Sequence, residues 1–552
     1  MKSRFVLAAI VVGVVSVSSA EIIEVPGTVQ TQAELASYIE NAQDGDVVRL
    51  PAGPIQFACT KNEDNSIVIS HSITIEGPNG GCEFVGVKTG NGANFLTTEV
   101  GTTVTLRNIA FRDAYLPDKP IALVHAKGRI ALDGCSFRNV QLSAPASISA
   151  TLVTEDDAAV TNCTFACMDQ IMGNVNYGGA WCAKGGKVDV YGSVFTNCFC
   201  SSGGGAIALM ENVTGARIEN TRFLDCYCNN GGAKGGAILD RMNSASTGLE
   251  IVSSVFRHCR GASVIYGEDG GTHRVLVERC EFTDSFCGSW GCIMKTSKAS
   301  PLVFLFCTFS DFYGVEWGAA MDIRCTLYMV NCTMTGGVNG KNTGSAGGGL
   351  NTFSSATLLN TVLAYNYHDL GNQNIDLAVY SGTTKLINSI ANSPQKPQYL
   401  SGSTAYACAE TLEGLVEASA LFSDYETRDA VTGKWLPYTK YAFSNNDIDI
   451  ALKQTVVVPT LDKPRGPMKM LSVAPMKGGL LYKKGFPVKA NPSRTYLAYS
   501  EDKGETWKTL YGTDPNDGSV KLITTDQLGQ EFTKPPIGAV TLKRLGTAVI
   551  VR

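Results

Sequence analysis

One phrase recurs through the first two thirds of this 552-residue chain at intervals near 28 residues: a turn-like polar group, a small residue or Cys, one further residue, then Phe. It reads Asp133-Gly134-Cys135-Ser136-Phe137 and Thr161-Asn162-Cys163-Thr164-Phe165, and later Glu278-Arg279-Cys280-Glu281-Phe282 and Phe306-Cys307-Thr308-Phe309. Looser copies put Phe111, Phe195, Phe223 and Phe256 in the same slot, and Met334 and Leu363 take it over towards the C-terminal end. Successive anchors are 26, 28, 30, 28, 33, 26, 27, 25 and 29 residues apart, a regularity that separate globular domains do not produce. The length is therefore read as one long repeat body, not as three or four domains.

Within each unit lie short alternating runs such as Lys187-Val188-Asp189-Val190-Tyr191 and Arg274-Val275-Leu276-Val277-Glu278. Period two sends one set of side chains inward and the other outward, as in half-buried strands. Gly clusters separate the runs: Gly178-Gly179-Ala180, Gly203-Gly204-Gly205-Ala206-Ile207, Gly235-Gly236-Ala237-Ile238 and Gly347-Gly348-Gly349-Leu350. They supply tight corners and close backbone approach, which accounts for 58 Gly in the chain. Several strands and turns in about 28 residues make one coil of a β-solenoid, with neighbouring coils about 4.8 Å apart and the Phe slot as an internal stack. About eleven or twelve such coils are expected over 53–400. A charged share of only 17%, against roughly 25% in ordinary domains, excludes a disordered chain and suits one long core.

These repeats resemble the right-handed parallel β-helix superfamily, the fold of pectate lyases and of many bacterial secreted and surface proteins. The Gly-Gly-Ala-Ile copies at 204–207 and 235–238, with Phe137-Arg138-Asn139 and Phe195-Thr196-Asn197, are similar to the repeats of polymorphic outer-membrane proteins. Those family repeats normally read Phe-x-x-Asn, one residue longer than here. The resemblance covers roughly residues 45–400 and implies an all-β parallel solenoid.

The start divides into a basic end with Lys2 and Arg4, an apolar run from Phe5 to Val17, and Ser18-Ser19-Ala20, the pattern of a secretory signal peptide over 1–20. Secretion is the expected localisation. A cap is expected over 21–52, where Thr31-Gln32-Ala33-Glu34 forms a capping box and Leu35, Tyr38, Ile39 and Ala42 follow at helical spacing. The parallel β-helix should occupy 53–400, an irregular capping region 401–466 and a small β domain 467–552. In the last, a hairpin is expected at 495–510, and Ser500-Glu501-Asp502-Lys503-Gly504-Glu505-Thr506-Trp507 matches the Asp box, a turn-stabilising motif of sialidases and other propellers.

Eighteen cysteines follow the repeat. Cys135, Cys163, Cys280, Cys307 and Cys332 stand two residues before an anchor; Cys198, Cys226 and Cys259 stand three after; Cys200, Cys228 and Cys287 stand five after. Equal offsets predict columns of stacked thiols in the core, reduced or partly bridged. Cys198-Phe199-Cys200 and Cys226-Tyr227-Cys228 could also be read as a zinc pair, although such motifs usually have two to four intervening residues. The five His residues show no ligand spacing.

With 46 basic against 50 acidic groups the chain lacks a basic field for nucleic acid, and no second apolar run is long enough to span a bilayer. Candidate chemistry follows the Gly-Ala-Ile corners: Glu211, Asp240-Arg241, Glu268-Asp269, Lys295, Asp322 and Arg324 recur at offsets within about two residues. They could form one charged column over four or five coils. Asp240, Arg241, Glu268, Asp269, Lys295, Asp322 and Arg324 are the candidate catalytic residues, and Glu211 and Lys184 candidate binding residues.

The β-helix resemblance implies lyases with a basic catalytic residue, often with Ca²⁺, or hydrolases with paired carboxylates. The chain shows neither the Arg and Pro surround of the lyase base nor the Asn-x-Asp, Asp-Asp and Gly-His set of pectin hydrolases. The reading is thus an adhesin-like protein presenting an extended face to extracellular polysaccharide or a cell surface. The alternatives are a lyase or hydrolase of acidic polysaccharide and a structural matrix component. No cofactor is identified apart from Ca²⁺ in the lyase case.

Overall fold

The structure, a computed structural model, describes residues 20–399 with short interruptions and four strands within 488–521. Residues 1–19 of the expected signal peptide, the expected capping region 401–466, Asp269 and the Asp box apart from Glu505 and Thr506 lie outside the described residues.

The repeat closes into a parallel β-solenoid. Each coil carries a leading strand just after the Gly corner, a second strand, and an anchor strand around the Phe slot. In one coil these are Ile238–Asp240, Leu249–Val252 and Val255–Arg257. In two earlier coils the first two strands run on as Trp181–Tyr191 and Ile207–Glu219. Among the described residues the anchor column holds twelve positions in register: Ile55, Phe84, Phe111, Phe137, Phe165, Phe195, Phe223, Phe256, Phe282, Phe309, Met334 and Leu363. From Phe111 to Phe282 the rings are nearly parallel, with centroids 4.6–5.1 Å apart. The column therefore begins two coils before the period read from sequence. Cys82-Glu83-Phe84 does carry the Cys-x-Phe phrase, 27 residues before Phe111.

Corners in the left-handed backbone region recur on both sides of the anchor positions. Three residues before the anchor this conformation falls on Gly81, Asn108, Gly134, Asn162, Gly192 and Asn220, then on Ser253, Arg279, Phe306 and Asn331. Two residues after it the same conformation falls on Asp113, Asn139, Asn197, Asp225, His258 and Asp284. Gly, Asn and Asp reach this region at least cost, so the Phe-x-Asn phrase records a corner that its third residue must turn. The Gly corners leave no space for a side chain. A Cβ on Gly205 would stand 2.1 Å from the Gly236 carbonyl oxygen, and one on Gly236 would stand 2.2 Å from that of Arg260.

All fifteen described cysteines are buried and none is disulfide-bonded, so among them the columns are stacks of thiols and not a disulfide ladder. Two residues before the anchor the column continues through Ser193, Thr221, Ser254 and Thr361, each bonded to the carbonyl two residues earlier as its Cys neighbours are. The Cys163 thiol donates to the Thr161 carbonyl (3.2 Å) and the Ser193 hydroxyl to that of Tyr191 (3.0 Å). The backbone N–H of Cys135 in turn donates to the Cys163 sulfur (3.3 Å), and that of Cys163 to the Ser193 oxygen (3.1 Å). Cys, Ser and Thr thus serve one purpose, tying a corner carbonyl to an amide of the neighbouring coil. Burial pushes the thiols of Cys82, Cys182 and Cys325 up to about 12, and those of Cys228, Cys280 and Cys307 upward as well. Both Cys-x-Cys pairs lie in the core, and among the described residues no group of three or more His, Cys, Asp or Glu is placed to hold a metal ion.

At the N-terminal end Thr31 caps the helix Gln32–Glu40, with the reciprocal bonds of a capping box. Leu35 and Ile39 are buried by this helix, which packs on the strands Gly53–Ala58 and Ile67–Ile69. The large sheet already runs through Ile22–Glu24, which pairs with Val47–Arg49 and through it with Thr74–Glu76. Further along the chain, Val488–Ala490, Tyr496–Tyr499, Lys508–Thr513 and Val520–Lys521 form an antiparallel sheet. No helix among the described residues is long and apolar enough to cross a membrane.

Cys163→Ser should keep stability within about 1 kcal/mol in thermal or urea unfolding, because Ser reproduces both hydrogen bonds, whereas Cys163→Ala should cost about 1–3 kcal/mol by stranding buried partners. Gly205→Ala should lower the melting temperature, while Gly27→Ala, with nothing within 4 Å of its added Cβ, should not.

Candidate functional site

The described candidate charges lie on the leading strands or, for Arg241, Glu268 and Arg324, one residue past them, and the strand register separates them into three columns. One outward column reads Cys182, Ala208, Leu239, Tyr266, Lys295, Asp322, Asn351 and Ala378. The next, inward by alternation, reads Ala183, Leu209, Asp240, Gly267, Thr296, Ile323, Thr352 and Val379. One residue further come Lys184, Met210, Arg241, Glu268, Arg324, Phe353 and Tyr380, at the outer edge of the face. The single charged column expected from sequence is therefore corrected. Lys184, Arg241, Glu268 and Arg324 share the outer edge, Lys295 and Asp322 lie in the other outward column two residues before it, and Asp240, in the column between, points into the body.

Asp240 and His273 form a buried pair, with Nε2 to Oδ2 at 2.7 Å and side chains only 3% and 5% exposed. Asp240 Oδ1 also accepts from the Met242 N–H. Neither group reaches solvent, which removes Asp240 from the candidates for outer-face chemistry. Asp322 is likewise fully buried, within 3.2 Å of Arg324. Burial pushes its carboxyl up by more than Arg324 and Lys295 pull it down.

The accessible groups neutralise one another. Arg241 spans Glu211 (2.7 Å) and Glu268 (3.2 Å) and lies over the Tyr177 ring, 5.1 Å from its centroid. Glu268 also takes Lys234. Glu155 accepts from Lys184 (2.5 Å) and lies 3.2 Å from His125; burial pushes it up, but these two partners outweigh that and hold it below the usual carboxylate range. Lys295 donates to the Tyr266 hydroxyl (3.1 Å) and lies over the same ring. Arg324 stacks on Phe353, which stacks on Tyr380 with centroids 4.5 Å apart. The arrangement offers hydrogen bonds and aromatic edges along several coils. It brings no carboxylate together with a free base.

Glu155, Tyr177, Lys234, Tyr266, Phe353 and Tyr380 were not singled out from sequence. Tyr266, Phe353 and Tyr380 stand at the same offsets as Lys295 and Arg324, so the repeat itself marks them once uncharged side chains are counted. Among the described residues no group of three or more His, Cys, Asp or Glu is placed to hold a metal ion, so no Ca²⁺ site can be assigned there.

No protein-family model matches the chain. No curated protein matches it either. Among solved structures, tailspike protein 3 of bacteriophage CBA120 is similar over 70% of this chain and 60% of that one, at 11% identity and a TM-score of 0.35. The chain thus spans about 60% of the tailspike's length. At that distance the likeness adds nothing to what the strand register already shows.

Asp240→Ala should destabilise the protein by about 3–5 kcal/mol, because it leaves a buried imidazole without its carboxylate. Glu211→Ala, at an exposed pair, should stay within about 1 kcal/mol. Chemical denaturation of the two variants beside the parent protein measures the difference.

Proposed function

We propose that the protein is exported through its N-terminal segment and that its solenoid binds extracellular polysaccharide along an outer face. The observation that carries this reading is the lattice itself. Among the described residues Lys184, Arg241, Glu268, Arg324, Phe353 and Tyr380 each stand one residue past an in-register position of the leading strands, whose coils lie about 4.8 Å apart, and Met210 is the apolar rung of that row. A repeating row of hydroxyl-binding groups suits a repeating, hydroxyl-rich ligand better than a compact one. Paired charges also bind sugar hydroxyls by charge-assisted hydrogen bonds without any change of ionisation.

Binding is favoured over cleavage by the state of the carboxylates. Glycoside hydrolysis needs an acid and a base on either side of one bond, and lyase chemistry needs a base free to take a proton. Asp240 and Asp322 are buried, and Glu211 and Glu268 are held by Arg241. The purified protein should therefore co-sediment with at least one member of a panel of pectate, alginate, cellulose and dextran, with and without Ca²⁺. It should release no 4,5-unsaturated ends and no reducing sugar. Release of either product would turn the reading to an enzyme, and retention of none of the panel would remove polysaccharide as the ligand class.

A further inference from the structure

Of the thirteen arginines among the described residues, nine are ion-paired: Arg49, Arg107, Arg112, Arg129, Arg217, Arg241, Arg274, Arg279 and Arg324. Three exposed ones, Arg138, Arg222 and Arg257, have no carboxylate within salt-bridge distance among the described residues. All three flank the anchor column. Arg138 follows Phe137, Arg257 follows Phe256 and Arg222 precedes Phe223, so each points outward where its Phe points inward.

Register places them on one flat surface. The column after the anchor runs Arg138, Ala166, Thr196, Leu224, Arg257, and the column before it runs Ser136, Thr164, Val194, Arg222, Val255. Arg138 and Arg257 stand four coils apart, about 19 Å at the strand spacing, with Arg222 in the neighbouring column one coil short of Arg257. The positions between carry the hydroxyls of Ser136, Thr164 and Thr196 and small or aliphatic side chains. No acidic residue occupies either column over this span; Glu281 stands one coil beyond it, and Arg112, one coil before Arg138, is already held by Glu83 and Asp113.

We infer that this anchor face docks a linear anionic polysaccharide lying along the solenoid axis, its carboxylate or sulfate groups received by Arg138, Arg222 and Arg257 and its hydroxyls by Ser136, Thr164 and Thr196. The inference rests on the polysaccharide reading and sharpens it. The leading-edge charges satisfy one another, so discrimination for acidic chains falls to the face where these guanidinium groups make no ion pair among the described residues; the Arg257 charge reaches Asp225 and Asp284 only at longer range. Three cations spaced over about 19 Å suit a sparsely charged chain better than a nucleic acid, whose duplex carries a charge about every 1.7 Å of axis.

Affinity measurements on the whole protein test this with polygalacturonate and dextran sulfate as carboxylate and sulfate probes, dextran as neutral control and duplex DNA as a generic polyanion. Parent protein should bind at least one of the first two more tightly than dextran or DNA. The triple variant Arg138→Gln/Arg222→Gln/Arg257→Gln should lose about tenfold or more of that affinity and show a flatter salt dependence. Arg129→Gln/Lys187→Gln, on the second strands, should stay within about twofold, a difference below 0.5 kcal/mol. An unchanged melting temperature of the triple variant separates lost contacts from lost fold. Full affinity in the triple variant, or equal binding of DNA, overturns this inference and leaves the polysaccharide reading standing. A parent protein that binds none of the polysaccharides removes both.

Discussion

Everything in this molecule follows from stacking in register at one rung per coil. Once Phe137 lies on Phe165 and Phe165 on Phe195, the residues beside them in the anchor strand lie on their counterparts above and below, and connections of differing length bring the leading strands back into register. A side chain is then selected by what its own kind can do at about 4.8 Å, the strand spacing. Phenyl rings stack, with each parallel pair contributing about 0.5–1.5 kcal/mol beyond its buried area. Charges of one sign repel at that spacing, so a charged outer position is balanced by opposite charges beside it, as Arg112, stacked on Arg138, is held by Glu83 and Asp113. Glu24, Arg49, Glu76, Arg107 and Asp133 form a ladder of alternating sign in register. The low charged share and the many cysteines are two consequences of the same rule.

Polar groups inside the stack are handled by the same repetition. A corner carbonyl that cannot join the strand ladder takes a bond from a Cys, Ser or Thr side chain two residues on, as at Cys280, Thr221 and Ser254. The exchange among these three residue types within one column shows that hydrogen bonding, and not redox chemistry, selects them. Cys also fits the apolar core beside the Phe stack, which explains its frequency there.

How much was legible in the sequence depended on offset precision. The anchors from Phe111 to Leu363 and the Gly corners were legible because Phe and Gly are rare enough to mark a slot. The charged column was not, because grouping Asp240 with Arg241 and Asp322 with Arg324 allowed an offset of up to two residues, and in a strand a shift of one residue changes the side to which a group points. Asp240 consequently turned inward to His273 while Arg241 turned outward to Glu211. The thiol columns were seen only where Cys occurs; Ser193, Thr221 and Ser254 carried the missing rungs, and with them the hydrogen-bond explanation. The free arginines were readable from the repeat as residues beside a Phe anchor. What no sequence rule showed is that these arginines, unlike Arg241 and Arg324, form no ion pair among the described residues.

The central claim is that coils couple only to their neighbours, through a register-locked core. A double-mutant cycle on the Phe column measures that coupling directly. Phe195→Leu combined with Phe223→Leu, on adjacent coils with ring centroids 5.1 Å apart, should show an interaction free energy of about 0.5 kcal/mol or more by equilibrium unfolding. Phe195→Leu combined with Phe309→Leu, four coils away, should be additive within about 0.5 kcal/mol. Additivity in the adjacent pair, or coupling of equal size in the distant pair, would contradict the stacked register on which the whole account stands.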